Sequence, residues 1–170
     1  GRSRIGLKDV MAALPADSGL VAFVRFNQIE LGEERLPGKP PRGRPSYLAI
    51  VVRGGGDLTP VSLGPAEAVD GPVSRWRDEV AQEALAPGRA SGRMEACYRI
   101  VATELRQKVW DPVAPYLKGL KRVLLVPDGS LHLVNFAALP VGQTSYLVET
   151  GPVIHYLSAE RDLVSTAADN

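Results

Sequence analysis

Three side chains in this sequence could serve as nucleophile, general base or soft metal ligand: Cys97, His132 and His155. A thiol–imidazole pair can cleave acyl bonds when the sulfur lies within hydrogen-bond reach of the ring. Cys97, however, falls on a helical apolar stripe with Met94, Tyr98, Val101, Leu105 and Val109. A nucleophilic thiol wants a partly exposed, electropositive site at a loop or helix N-terminus, so Cys97 reads as a buried structural thiol. A structural zinc ion takes four Cys or His ligands, and only three such residues exist in the chain, so no closed zinc site forms unless carboxylates complete it. A single cysteine excludes an internal disulfide.

His132 follows a turn at a strand end, and we read it as structural, its ring bonded to nearby backbone, in preference to substrate contact. His155, in the alternating run Val153-Ile-His-Tyr-Leu157, also reads as structural. Asp128 sits in Pro127-Asp128-Gly129, where it could bind a cationic substrate group but more simply forms a turn. That turn lies at the C-terminal end of a strand, where open α/β sheets place their binding sites. Asp128 and His132 are therefore the substrate-groove candidates, with no metal and no cofactor expected. The glycine triplet Gly54-Gly55-Gly56 lacks both the Lys-Ser/Thr pair and the G-x-G-x-x-G spacing of phosphate loops, so it reads as a tight hairpin.

These residues need elements to position them. Leu7, Val10, Met11 and Leu14 share one helical face, which Pro15 ends. Leu20–Phe26 and Ser46–Arg53 read as strands, and Leu58–Leu63 as the hairpin partner of the second. Between the first two, residues 32–45 hold Pro37, Pro40, Pro41 and Pro45 with Arg35, Lys39, Arg42 and Arg44. No periodicity survives there, and we expect an exposed, flexible loop. It is either a solvated hairpin excursion or a basic arm touching a partner.

A helix follows Gly64-Pro65, with Val73, Trp76, Val80 and Ala84 at helical spacing and Pro87-Gly88 closing it. A longer helix runs from about Gly92 to Trp110, with Glu95–Arg99 and Glu104–Lys108 as favourable pairs. Asp111-Pro112 starts a short helix that Gly119 ends. Lys121–Val126, Tyr146–Glu149 and Pro152–Leu157 read as strands, and Ser158 as the N-cap of a last helix over 159–165. A helix leading into an apolar strand implies an α/β unit with a buried parallel strand.

The 170 residues suffice for about one domain. A chain 45% hydrophobic, 23% charged and of net charge +1 is of ordinary globular composition. That excludes a disordered charged tail, a collagen-like fibre and a disulfide-stapled miniprotein. Near-zero net charge gives no electrostatic case for nucleic acid or anionic membrane. No apolar run approaches the roughly 20 residues that span a bilayer, and no secretory h-region follows residue 1. A cytoplasmic location is expected. The chain does not open with Met, so we expect residue 1 to be a fragment boundary.

The string Val123 to Pro140, VLLVPDGSLHLVNFAALP, resembles the signature of the CHAT domain, a caspase-like cysteine peptidase module often found downstream of tetratricopeptide repeats. Leu20–Phe26, Tyr47–Val52, Val61–Ala66, Val73–Arg77, Trp110–Val113, Tyr146–Glu149 and Ile154–Ser158 resemble further landmarks of that family in the same order. The resemblance spans about residues 7–165. It implies a caspase-like three-layer α/β sandwich with a mostly parallel or mixed sheet flanked by helices. Residues 1–170 would be its N-terminal, non-catalytic portion.

The family's catalytic residues are a His in a His-Gly-type motif and a Cys in a Ser-Ala-Cys context. Neither motif occurs here, and neither His132 nor His155 matches, so no catalytic residue is assigned. The resemblance implies the structural half of a cysteine endopeptidase, which hydrolyses peptides through a thioacyl intermediate. The alternatives are a non-catalytic pseudo-protease scaffold or interaction module, and an unrelated α/β binding domain. The expected partners are the rest of the same polypeptide, including upstream helical repeats, and a protein or peptide substrate. Self-association is expected if Tyr47–Val52 or Val123–Val126 leaves an edge or apolar face open.

Overall fold

The computed structural model describes residues 7–29, 43–85 and 91–159. In chain order the elements are α1 (Leu7–Ala13), β1 (Ser18–Ile29), β2 (Gly43–Arg53), β3 (Leu58–Pro65), α2 (Ala66–Leu85), α3 (Ser91–Val109), β4 (Arg122–Val126), β5 (Pro140–Val141), β6 (Ser145–Tyr146), α4 (Leu147–Thr150) and β7 (Val153–Tyr156). Short 3₁₀ turns cover Ala114–Leu117, Gly129–Leu133 and Phe136–Ala138.

Among the described residues the main sheet has five strands in the order β3-β2-β1-β4-β7. β1 to β3 form an antiparallel meander, with Leu20 opposite Val52 and Val52 opposite Leu58. β4 then pairs parallel to β1, with Leu20 opposite Leu124, and β7 parallel to β4, with Val123 opposite Ile154. The parallel step requires a crossover, which α2 and α3 supply. β5 and β6 form a separate two-stranded sheet.

Alternation along the strands sends side chains to two apolar layers. On one face Val21, Phe23, Tyr47, Val51, Val123 and Leu125 pack with Val69, Val73 and Trp76 of α2 and Ala102, Leu105 and Val109 of α3. The opposite face is smaller. Leu20, Ala22, Val52, Leu124 and Val126 pack there with Val10 and Leu14 at α1. β4 is therefore buried on both sides, which is why it reads as an unbroken apolar run. The result is a mixed sheet flanked by helices, consistent with a caspase-like α/β sandwich.

Several expectations need correction. Tyr146–Glu149 is not a strand. Only Ser145–Tyr146 is extended, and the chain then turns into α4, because the Glu149 carboxylate accepts the Tyr146 backbone N–H at 2.7 Å, an N-terminal cap that starts a helix. β2 and β4 leave no open edge, since each has a strand on both sides; among the described residues the edges are β3 and β7. Of the loop expected at 32–45, residues 32–42 lie outside the described residues. Gly43, Arg44 and Pro45 belong to β2, opposite Ile29, Gln28 and Asn27, because hairpin pairing reaches further than the proline content suggested. The helix expected over 159–165 lies outside the described residues from 160 onward. The glycine triplet does form the β2–β3 turn, with Gly55 and Gly56 at φ +112° and +108°, a region L side chains rarely adopt.

Candidate functional site

The C-terminal end of β4 lies beside the middle of β1, with Val126 opposite Ala22, and four distant stretches of chain meet there. β4 delivers Pro127 and Asp128, and the 3₁₀ turn Gly129–Leu133 follows. One Asp128 carboxylate oxygen accepts the Gly129 N–H and the other accepts the Arg25 N–H, each at 2.8 Å. The carboxylate thus starts the turn and clips it to β1, a bond across 103 residues. A carboxylate holding two backbone amides is structurally committed.

Tyr47, wholly buried on β2, reaches the same place. Its hydroxyl donates to Asp70 Oδ1 at 3.1 Å and accepts the Ser130 N–H at 3.0 Å. The Ser130 hydroxyl donates to the same Asp70 oxygen at 2.6 Å. Asp70 is carried by the first turns of α2, and its other oxygen lies 3.7 Å from an Arg25 guanidinium nitrogen. This outer pair is open to water, with 46% of the Arg25 and 36% of the Asp70 side chain exposed. Gly129 is obligatory in the arrangement. Its φ is +56°, and a Cβ there would sit 2.3 Å from Tyr47 Oη and 2.9 Å from Arg25 Cδ.

The arrangement can hold a turn rigidly at the sheet's C-terminal edge and present a half-exposed Arg–Asp pair. Neither the cysteine nor a histidine side chain takes part in it among the described hydrogen bonds. Cys97 lies on α3, His132 on the turn after β4 and His155 on β7, and the structure does not bring them together. His132 is exposed, and its ring makes no hydrogen bond among the described residues, so the expected backbone bond is absent. His155 is exposed on β7 opposite Leu124.

The reading of Cys97 as buried is overturned, since the thiol is exposed. The helix packs through Tyr98, Ala102, Leu105 and Val109. At about 100° per residue this stripe leaves Cys97 roughly 110° from its centre. Among the described residues no group of three or more His, Cys, Asp or Glu could hold a metal ion.

Tyr47, Asp70, Ser130 and Arg25 were not legible as a site. The one available signal was a tyrosine opening an apolar strand, because a buried hydroxyl must find a partner.

A second polar network fastens α3 to β6. Tyr146 Oη donates to Glu95 Oε1, Arg99 Nε donates to that oxygen at 2.8 Å, and the Arg99 guanidinium lies 4.4 Å over the Tyr146 ring. Burial and the Glu95 carboxylate push the Tyr146 hydroxyl up to about 12. The hydrogen bond from Tyr146 in turn lowers Glu95. Burial also raises Tyr156, whose hydroxyl accepts the Phe136 N–H at 2.8 Å.

Residues 99–170 match the family model of the CHAT domain. Over that stretch, less than half of its length, the chain is similar to the CHAT domain. The matched stretch starts in α3 and includes Asp128, Ser130 and His132, whereas Arg25, Tyr47 and Asp70 lie before it. The turn after β4 is therefore locked by residues outside the matched stretch. No curated protein and no solved structure matches the chain. Among the described residues no helix is long and apolar enough to cross a membrane.

Proposed function

We propose that this chain is the N-terminal structural half of a CHAT-type cysteine endopeptidase, supporting a catalytic His and Cys supplied beyond residue 170. The observation that carries the reading is the contrast between the two edges of the sheet. β3 holds Pro60 and Pro65, which cannot donate to another strand, so that edge is closed to extension. β7 is a proline-free strand, parallel to β4, with a neighbour on only one side among the described residues. Val153 and Tyr156 on it are 60% and 46% exposed. An edge of this kind suits continuation of the sheet by a further strand of the same polypeptide.

In this reading the Asp128–Tyr47–Asp70–Ser130 network sets the turn that would border the substrate groove. Peptide hydrolysis through a thioacyl intermediate would be performed by residues of the other half. The test is to translate the reading frame past codon 170 and to treat the longer polypeptide with a thiol-directed peptidyl probe. A His-Gly and Ala-Cys pair, together with labelling outside residues 1–170, is the expected result. Absence of that pair refutes the peptidase reading and leaves a pseudo-protease scaffold or interaction module.

A further inference from the structure

The opposite end of the sheet carries a cleft of about 710 Å³ where the chain enters β4 and β7. Its base is apolar, made by Trp110, Leu117, Leu120 and Leu147, each buried in or against the main core. Its walls are tied in place. Arg106 grips the Asp111 carboxylate at 3.0 and 3.2 Å and donates to the Pro140 carbonyl at 2.6 Å. Arg53 donates to the carbonyls of Tyr116 and Lys118 at 2.8 and 3.2 Å. The Val153 N–H reaches the Lys121 carbonyl at 2.9 Å.

The charge on the rim is one-sided. Lys118 and Lys121 line the cleft, both exposed, and neither has an ion-pair partner among the described residues. Asp111, the acidic residue of the lining, is already neutralised by Arg106. A pre-formed apolar seat under two unpaired ammonium groups complements an apolar side chain flanked by carboxylates.

We propose that this cleft docks an acidic peptide segment of a partner protein, with one bulky apolar side chain on the Trp110–Leu147 floor and flanking carboxylates at Lys118 and Lys121. β4 separates the cleft from the Asp128 cluster by roughly 13 Å, four steps at about 3.3 Å each. An occupant would leave the other edge clear, and the proposal stands independently of the peptidase reading.

The test is calorimetric titration of the purified chain with the peptide acetyl-Glu-Leu-Glu-Phe-Glu-amide, with its Lys-for-Glu counterpart and with hexanoate. The acidic peptide should bind at least tenfold more tightly than the other two and weaken as salt is raised from about 0.05 to 0.5 M. K118E/K121E should lose at least tenfold in affinity with an unchanged thermal melt, because both side chains are exposed. If that variant melts early, Lys118→Met and Lys121→Met supply the same comparison singly. Val153→Trp, which fills the cleft mouth without changing charge, should also abolish binding. Equal binding of the basic peptide or of hexanoate overturns the proposal. So does undiminished binding by the lysine variants or by Val153→Trp.

Discussion

The contact between Gly129 and Tyr47 yields the sharpest expectation. Tyr47→Phe removes one oxygen that donates to Asp70 and accepts from Ser130. Each net hydrogen bond is worth about 1 kcal/mol, and an amide left without its acceptor adds to the loss. The variant should be destabilised by about 2 kcal/mol, which at this chain length lowers Tm by about 4–8 °C. Gly129→Ala acts on the same oxygen from the other side. Its new Cβ would meet Tyr47 Oη at 2.3 Å at a φ of +56°. Crowding of that kind costs about 1–3 kcal/mol and the left-handed backbone about 1 more.

The two changes are therefore coupled. With the oxygen gone, Gly129→Ala should cost only about 1–2 kcal/mol, the part owed to the backbone and to the movable Arg25 side chain. Urea unfolding of the parent, both single variants and the double variant gives the coupling from midpoints at constant m. The double variant should be at least about 1 kcal/mol more stable than additivity requires. Additivity within about 0.5 kcal/mol, or a Tyr47→Phe variant as stable as the parent, would refute the geometry of this cluster.

Other expectations follow from single residues. Cys97 should react completely with a thiol reagent in the native chain, and Cys97→Ala should change stability by under about 0.5 kcal/mol; a thiol modified only on unfolding contradicts its exposure. Arg106→Ala frees Asp111 and the Pro140 carbonyl together and should destabilise by about 2 kcal/mol in the same urea assay, with a change under half of that counting against the wall it forms. Folding raises the Tyr146 hydroxyl from 10.0 to about 12, so the folded state holds its proton longer. Its contribution is fully present below pH 10 and is lost as pH rises toward 12. Tyr146→Phe should show a shallower alkaline loss of stability, and an unchanged slope would exclude Tyr146 from that loss.

The elements were largely legible because their signals are local. β-branched runs, the glycine triplet and the apolar period of α2 each act over a few residues and survive in the fold. Tyr146–Glu149 failed because a Glu149 carboxylate capping backward converts a strand-like tetrapeptide into a helical turn. Cys97 failed because the face that packs runs through Tyr98, Ala102, Leu105 and Val109, and extending the stripe to Cys97 and Val101 drew it too far around the helix. The candidate site was half legible. Pro127-Asp128-Gly129 announced a turn, but nothing local ties it to Arg25, Tyr47 or Asp70. Those meetings depend on strand order and parallel register, which hydrophobic patterning does not encode.

The Arg25–Asp128 clip also orders events in time. The β1–β2–β3 meander is built from neighbours in sequence and can pair as soon as residues up to Pro65 are available. The parallel β1–β4 contact must wait for a chain segment about a hundred residues later and carries the greater loop-closure cost. During synthesis the meander therefore waits with the β1 edge unpaired until β4 arrives. Of the two amide bonds of the Asp128 carboxylate, the one to Gly129 is local, whereas the one to Arg25 marks the joining of β4 to the meander, before β7 completes the sheet.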